Sequence, residues 1–155
     1  MTRLLLISDS HRDKQTLSKI IKNEQDFDRI IFLGDGIEDV EDAFLTSSKP
    51  IVSVAGNCDT DYCISSERVI KVADINIFIT HGHFYDVKLT FKNVAKTAKS
   101  KNCSVAFIGH THIQTDETVD GIRIINPGSV SYLGNYAIIT IDNDKLNVEL
   151  KGLKN

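Results

Sequence analysis

Residues Ser104–His112 read S-V-A-F-I-G-H-T-H. A short apolar run stops at Gly109, and two histidines, His110 and His112, follow with one residue between them. The run is brief, contains a β-branched residue and is punctuated by glycine, which predicts a buried strand. Its end therefore delivers two imidazoles to the edge of a sheet. The same grammar recurs along the chain. Leu4–Ser8 runs into Asp9-Ser10-His11, and Ile30–Leu33 into Gly34-Asp35-Gly36. Ile51–Ala55 runs into Gly56-Asn57-Cys58-Asp59, and Ile75–Thr80 into His81-Gly82-His83. All five histidines of the chain lie at such strand ends, which ordinary surface composition does not explain. Ligands of open α/β sheets gather outside the carboxyl ends of the strands, where these groups would sit.

Working outward, the 155 residues suffice for one domain, 1–155, with a sizeable core. The apolar fraction of 41% and charged fraction of 25% are those of a globular protein. A formal net charge of -3 argues against a general nucleic-acid or anionic-membrane binder. Three cysteines, Cys58, Cys63 and Cys103, with no C-x-x-C pair suggest neither a disulfide framework nor a thiolate zinc site. No apolar run approaches a secretory or transmembrane segment, so the cytoplasm is the expected compartment.

Between the strand ends, Asp13 is placed to cap a helix carrying Leu17, Ile20 and Ile21. A second helix puts Ile37, Val40 and Phe44 on one face, and Pro50 opens strand Ile51–Ala55. This β-α-β-α-β order predicts parallel strands with right-handed crossovers. Arg68–Ala73 and Ile75–Thr80 lie too close for a crossover and read as a hairpin. A third helix is expected between Lys88 and Lys99, with Phe91, Val94, Ala95 and Ala98 as its apolar stripe. Asp120-Gly121 and Asn143-Asp144 are hairpin turns, which makes the last third antiparallel. Lys151–Asn155 reads as a frayed tail, and Cys63 and Cys103 as small apolar residues. Asp59 and Asp61 read as loop acids or a helix cap. Asn126–Ser129, N-P-G-S, reads as a tight turn. Phe84, Tyr85 and Tyr132 fit either a cleft wall or ordinary packing.

Taken in order, D-S-H, G-D-G, G-N-C-D, H-G-H and G-H-T-H resemble the calcineurin-like metallophosphoesterases. Asn126-Pro127-Gly128-Ser129 narrows the likeness to their small, cap-less phosphodiesterase branch. The resemblance implies an α/β fold: a four-layer α/β/β/α sandwich of two mixed β-sheets flanked by helices. It implies that Asp9, His11 and His112 hold one metal and Asn57, His81 and His110 a second, with Asp35 bridging. It also implies hydrolysis of small phosphate diesters by in-line attack of a hydroxide bridging two divalent ions. The catalytic set is then Asp35, Asn57, His81, His83 and His110, with Asn57, Cys58 and His83 toward the substrate. Nitrogen and oxygen ligands without thiolate suit such divalent ions; the resemblance favours Mn²⁺, with Zn²⁺, Fe²⁺, Ni²⁺, Co²⁺ and Mg²⁺ as alternatives.

His83 reads equally as a proton-transfer group and as a hydrogen-bond partner of a neighbouring ligand. Many family members carry histidine where this chain has Cys58, a poor acid for a departing alkoxide. Better turnover of esters with good leaving groups is therefore expected. The partner implied is a small phosphate ester, with no membrane and with a homodimer through an apolar strand edge as an option. Two other functions are compatible with the motifs. One is a phosphomonoesterase acting on metabolites; the other is a binding scaffold like the retromer subunit that shares the H-G-H, G-H-T-H and N-P-G-S blocks.

Overall fold

The computed structural model describes residues 1–60 and 63–153, without the side chains of 44–46. Asp61 and Phe44 of the sequence reading thus lie outside what is described. Among the described residues, ten strands form two sheets. In the first, β1 (Thr2–Ile7) lies between β2 (Arg29–Phe32) and β9 (Asn135–Asp142). β3 (Ile51–Ser53) and β10 (Lys145–Gly152) form its edges. In the second, the order is β4 (Glu67–Val72), β5 (Ile75–Thr80), β6 (Val105–Phe107), β8 (Ile122–Asn126) and β7 (Thr115–Val119).

The parallel pairs are β1·β2, β2·β3, β5·β6 and β6·β8. The hairpins β4·β5, β7·β8 and β9·β10 and the pair β1·β9 are antiparallel. Both sheets are therefore mixed.

The unbroken apolar runs follow from burial on both faces of each sheet. Leu4 and Leu6 of β1 point into the layer between the sheets with Ile77, Ile79 and Phe107. Leu5 and Ile7 point the other way, against Leu17, Ile20, Ile37 and Val40. The latter belong to α1 (Lys14–Asn23) and α2 (Ile37–Ser47). On the far side, Phe78, Ala106 and Ile124 pack against Val94, Ala95 and Ala98 of α3 (Lys92–Ser100). The layering is α/β/β/α. The Asp13 carboxylate accepts from Thr16 N at 3.1 Å and caps α1.

Four expectations are corrected. The third helix begins at Lys92 rather than Lys88. The chain first makes a 3-10 turn over His83–Tyr85 and leaves it through Asp86 in the left-handed region, φ 52°. Strand pairing of β3 stops at Ser53, because Ala55 N turns to Ser65 O instead of continuing the ladder. The expected tail is half strand: Lys151 and Gly152 pair with Tyr136 and Asn135, and Leu153 packs on the α1 side of the core. Cys63 is exposed, whereas Cys103 is buried. The expected single domain, 1–155, stays an expectation.

Candidate metal centre

Since β1, β2 and β3 run parallel, and β5, β6 and β8 do too, each sheet collects several carboxyl ends along one edge. Short backbone bonds lock the loops that leave these ends. Asp9 N donates to Gly34 O at 2.9 Å, His11 N to Asp35 O at 3.1 Å and Gly109 N to His81 O at 3.0 Å. The last bond joins the loops after β5 and β6. Small residues are needed because the backbones run against the acids. A Cβ on Gly56 would lie 2.1 Å from Asp35 Oδ1, and one on Gly109 2.2 Å from Ser8 Oγ.

The side chains converge in two groups. Asp9, His11 and His112 each offer one ligand atom, all within 4.8 Å of one another; Asp35, His81 and His110 do the same. Asp35 also forms such a trio with His11 and Cys58, so its carboxylate reaches from one group to the other. Asp9 Oδ1 lies 3.2 Å from His112 Nε2 and 3.4 Å from His11 Nε2. Asp35 Oδ2 lies 3.2 Å from His81 Nε2 and 3.8 Å from His11 Nε2. His81 Nδ1 is 2.7 Å from the Leu33 carbonyl, which only accepts, so Nδ1 is a donor and Nε2 is the atom turned toward Asp35. Ring nitrogens then face one another, His81 Nε2 to His110 Nδ1 at 3.2 Å and His11 Nε2 to His112 Nε2 at 3.3 Å. Imidazole nitrogens and carboxylates aimed at common points are a donor set that fits borderline divalent cations.

Charge and burial act jointly on these groups. Burial pushes the Asp35 carboxyl up, but the hydrogen bond and charge of His81, the Cys58 N–H at 2.8 Å and His11 outweigh it. The result lies well below the usual carboxylate range. Burial depresses His81, yet its bonds and fields from Asp35, Asp9 and Leu33 leave it raised. His110 is driven down to about 4, first by burial and then by the charges of His81 and Lys88. Its imidazole is therefore neutral at neutral pH, with a lone pair to give. Burial and His81 also lower His83. Burial and the Asp35 charge raise the Cys58 thiol, which stays protonated.

The remaining predicted residues stand nearby. Asn57 and Cys58 are exposed in the turn after β3. The Asn57 amide nitrogen donates to Cys58 Sγ at 3.6 Å, which leaves its oxygen as a ligand atom. His83 stacks beside Phe84, ring centroids 4.1 Å apart, and lies 6.2 Å from His110. Its Nδ1 is buried and, among the described residues, has no hydrogen-bond partner. Tyr85 packs edge-on to Phe78 and gives its hydroxyl to Glu67, so it belongs to packing rather than to the cleft. Phe84 and Tyr132 are exposed.

Three groups support the site in a way the sequence reading did not assign. The Asp59 carboxylate accepts from the N–H groups of Asp35 (2.7 Å), Gly36 (2.9 Å), Ile37 (3.1 Å) and Gly56 (2.8 Å). It is a helix cap, as one of its two readings had it, and it also clamps the Asp35 loop. Asp39 of α2, buried, accepts from Ser10 Oγ at 2.6 Å and Arg12 N at 2.9 Å, fixing the loop around His11. Asn126 donates to Gly109 O and Thr111 Oγ1, both at 3.0 Å, and Ser129 Oγ to Asp9 O at 2.8 Å. The N-P-G-S turn thus ties two ligand loops together. Asp9, His11, Asp35, His110 and His112 all have φ between 42° and 69°. Non-glycine residues pay for that conformation, and such strain gathers at functional sites.

The calcineurin-like phosphoesterase superfamily domain matches residues 2–144. "Probable metallophosphoesterase YsnB" of Bacillus subtilis is 34% identical over 151 residues, covering 94% of this chain and 88% of that protein. "Phosphodiesterase MJ0936" of Methanocaldococcus jannaschii is 29% identical over 140 residues, covering 79% and 81%. A crystal structure of a conserved protein of Streptococcus pneumoniae TIGR4 superposes with a TM-score of 0.82. It is 23% identical, covers 97% of this chain and 89% of that one, and has the same fold.

Proposed function

The chain belongs to the calcineurin-like phosphoesterase superfamily and is a metal-dependent hydrolase of phosphate esters, and from that premise we propose a phosphodiesterase acting on small diesters. One observation carries the reading: two ligand trios meet at Asp35, whose carboxylate reaches into both. The name of the relative from M. jannaschii supports diesters over monoesters. On this reading Asp9, His11 and His112 hold one divalent ion, and Asn57, His81 and His110 a second, with Asp35 shared. Mn²⁺ is the first choice for a set without thiolate. Two such ions supply Lewis-acid charge for the anionic transition state and lower the pKa of bound water.

The chain's own residues do the rest. Asp35 is held ionised, so its carboxylate offers lone pairs without first losing a proton, and neutral His110 does the same. The Leu33 carbonyl takes the Nδ1–H of His81 and so turns Nε2 toward Asp35, where a cation would replace the proton. The unpartnered Nδ1 of His83 is placed to bond a phosphoryl oxygen. Cys58 lines an open cleft of about 480 Å³ together with His11 and Asp35, toward which we place the leaving group. Cys58 and Cys103 are free thiols, which supports a reducing cytoplasm.

The test is chelator-stripped protein assayed on bis(p-nitrophenyl) phosphate and p-nitrophenyl phosphate, with and without Mn²⁺. Diester turnover restored by metal and abolished in Asp35→Asn is the expected result. A preference for the monoester would reassign the chain to phosphomonoesterases. Metal binding without turnover of either ester would favour a scaffold.

A further inference from the structure

The loop after β6 continues from His110 through Thr111 and His112 into Ile113. A groove of about 550 Å³ opens there, lined by Thr111 and Ile113 of this loop and by Lys88, Leu89 and Phe91 of the segment that leads into α3. Leu89 is 86% exposed and Ile113 66% exposed. They stand on fixed backbone. Thr111 Oγ1 accepts from buried Asn126 at 3.0 Å and from Ile113 N at 3.1 Å, while Leu89 N donates to Asp86 O at 2.9 Å. Exposed apolar side chains on fixed backbone, Ile113 directly after the candidate ligand His112, form a wall suited to an apolar group. Among the described residues that line the groove, Lys88 is the one cation, next to Leu89 in the chain. The one acid, Glu117, belongs to β7.

We propose that this groove is a substrate subsite: it takes an aromatic or apolar substituent that stays on phosphorus, while Lys88 faces the phosphate's negative charge. The inference rests on the phosphodiesterase reading and sharpens it. The preferred substrate class is a diester with one aryl or similarly apolar alcohol, rather than the phosphate of a small polar metabolite. Occupancy is argued from continuity and charge. Thr111 is a wall of the groove and sits between His110 and His112, and a phosphodiester supplies the single anion that Lys88 complements. A diester has two substituents, and the separate cleft at Cys58, which shares none of these lining residues, accounts for only the departing one.

The experiment compares methyl p-nitrophenyl phosphate with phenyl p-nitrophenyl phosphate on the Mn²⁺-loaded protein. Each hydrolysis consumes water and releases p-nitrophenol, leaving methyl or phenyl phosphate, so the leaving group is constant. The phenyl ester is expected to be favoured in kcat/KM by about 10-fold or more, mostly through KM. Leu89→Ser with Ile113→Ser should collapse that ratio toward unity. Val69→Ser, an exposed change on β4 outside the groove, should preserve it. Lys88→Ala should weaken both esters alike, because both carry the same charge. Binding is read separately from turnover through competitive inhibition by phenylphosphonate against methylphosphonate, whose Ki ratio should follow the same pattern. An unchanged ratio in the double serine variant, or equal use of both esters by the wild type, would overturn the subsite while leaving the phosphodiesterase intact. No turnover of either ester by the wild type would overturn both.

Discussion

Asp59 touches no substrate on our reading, yet it accepts four backbone N–H bonds around Asp35. Asp59→Ala orphans those donors and should cost about 2–4 kcal/mol of stability. It should also weaken Mn²⁺ binding by roughly 10–100-fold, as loss of a group orienting a ligand does. Calorimetric titration alongside a urea melt reads both. A loss of stability with unchanged metal affinity would show that Asp59 only caps α2. Cys58→His restores an acid beside the leaving group. It should speed alkyl esters about 10-fold more than p-nitrophenyl esters, measured as a flatter dependence of rate on leaving-group pKa. Equal gains on both would refute the missing-acid account. At this scale the candidate ligands were legible, since aspartate or histidine directly after an apolar run is a local signal. The left-handed φ of Asp9 or His110 and the four bonds of Asp59 were not. Three of the four bonds reach from Asp59 to Asp35, Gly36 and Ile37, more than twenty residues away, and a motif carries no trace of them.

Among elements, the two sheets are joined by Arg123 of β8. Its guanidinium grips Asp116 of β7 with two bonds, 2.8 and 2.9 Å, and reaches across to Leu146 O of β10 at 2.7 Å. Arg123→Met should cost about 1–3 kcal/mol in a urea melt near neutral pH. The hydrogen bond from Arg123 holds the Asp116 carboxyl below its ordinary 3.8. A depressed folded value means the pair contributes fully above pH 3.8 and loses its contribution as pH falls through the lowered pKa. The gap between wild type and variant should therefore narrow in acid below pH 3.8 and stay constant between pH 5 and 7. Periodicity found the hairpin that carries Arg123, because Asp120-Gly121 announces it. It missed the 3-10 turn before α3, because nothing at Lys88–Thr90 breaks a helical pattern; the break comes from Asp86. Four layers were likewise implied by resemblance alone. Period-two patterning vanishes when both faces of a strand are buried, as Leu4 to Ile7 are.

For the molecule as a whole, the ligand trios couple metal to stability. Asp9, His11 and Asp35 come from loops of the first sheet, whereas His81, His110 and His112 come from the second. A cation held by both should therefore resist their separation. At 100 times its Kd a bound ion adds about 2.7 kcal/mol. For a chain of this size that is roughly 5–10 °C in Tm. Melting curves of chelated protein against Mn²⁺-loaded protein should show it, and Asp35→Asn should shrink the difference. An equal rise in Asp35→Asn would mean that the ion binds elsewhere.

β1 has a further consequence, for the order of events during synthesis. Its two neighbours are β2, which follows at once, and β9, whose Ala137–Ile141 pair with Thr2–Leu6 across nearly the whole chain. On a ribosome adding about 5–20 residues per second, the first strand waits on the order of ten seconds for that partner. Through that interval the emerging polypeptide carries Leu4, Leu5, Leu6 and Ile7 beside a bare row of amides and carbonyls. This is the interval in which a nascent-chain chaperone has something to hold. The two cation-binding halves, brought together by the same late closure, can be loaded only after translation has passed His112.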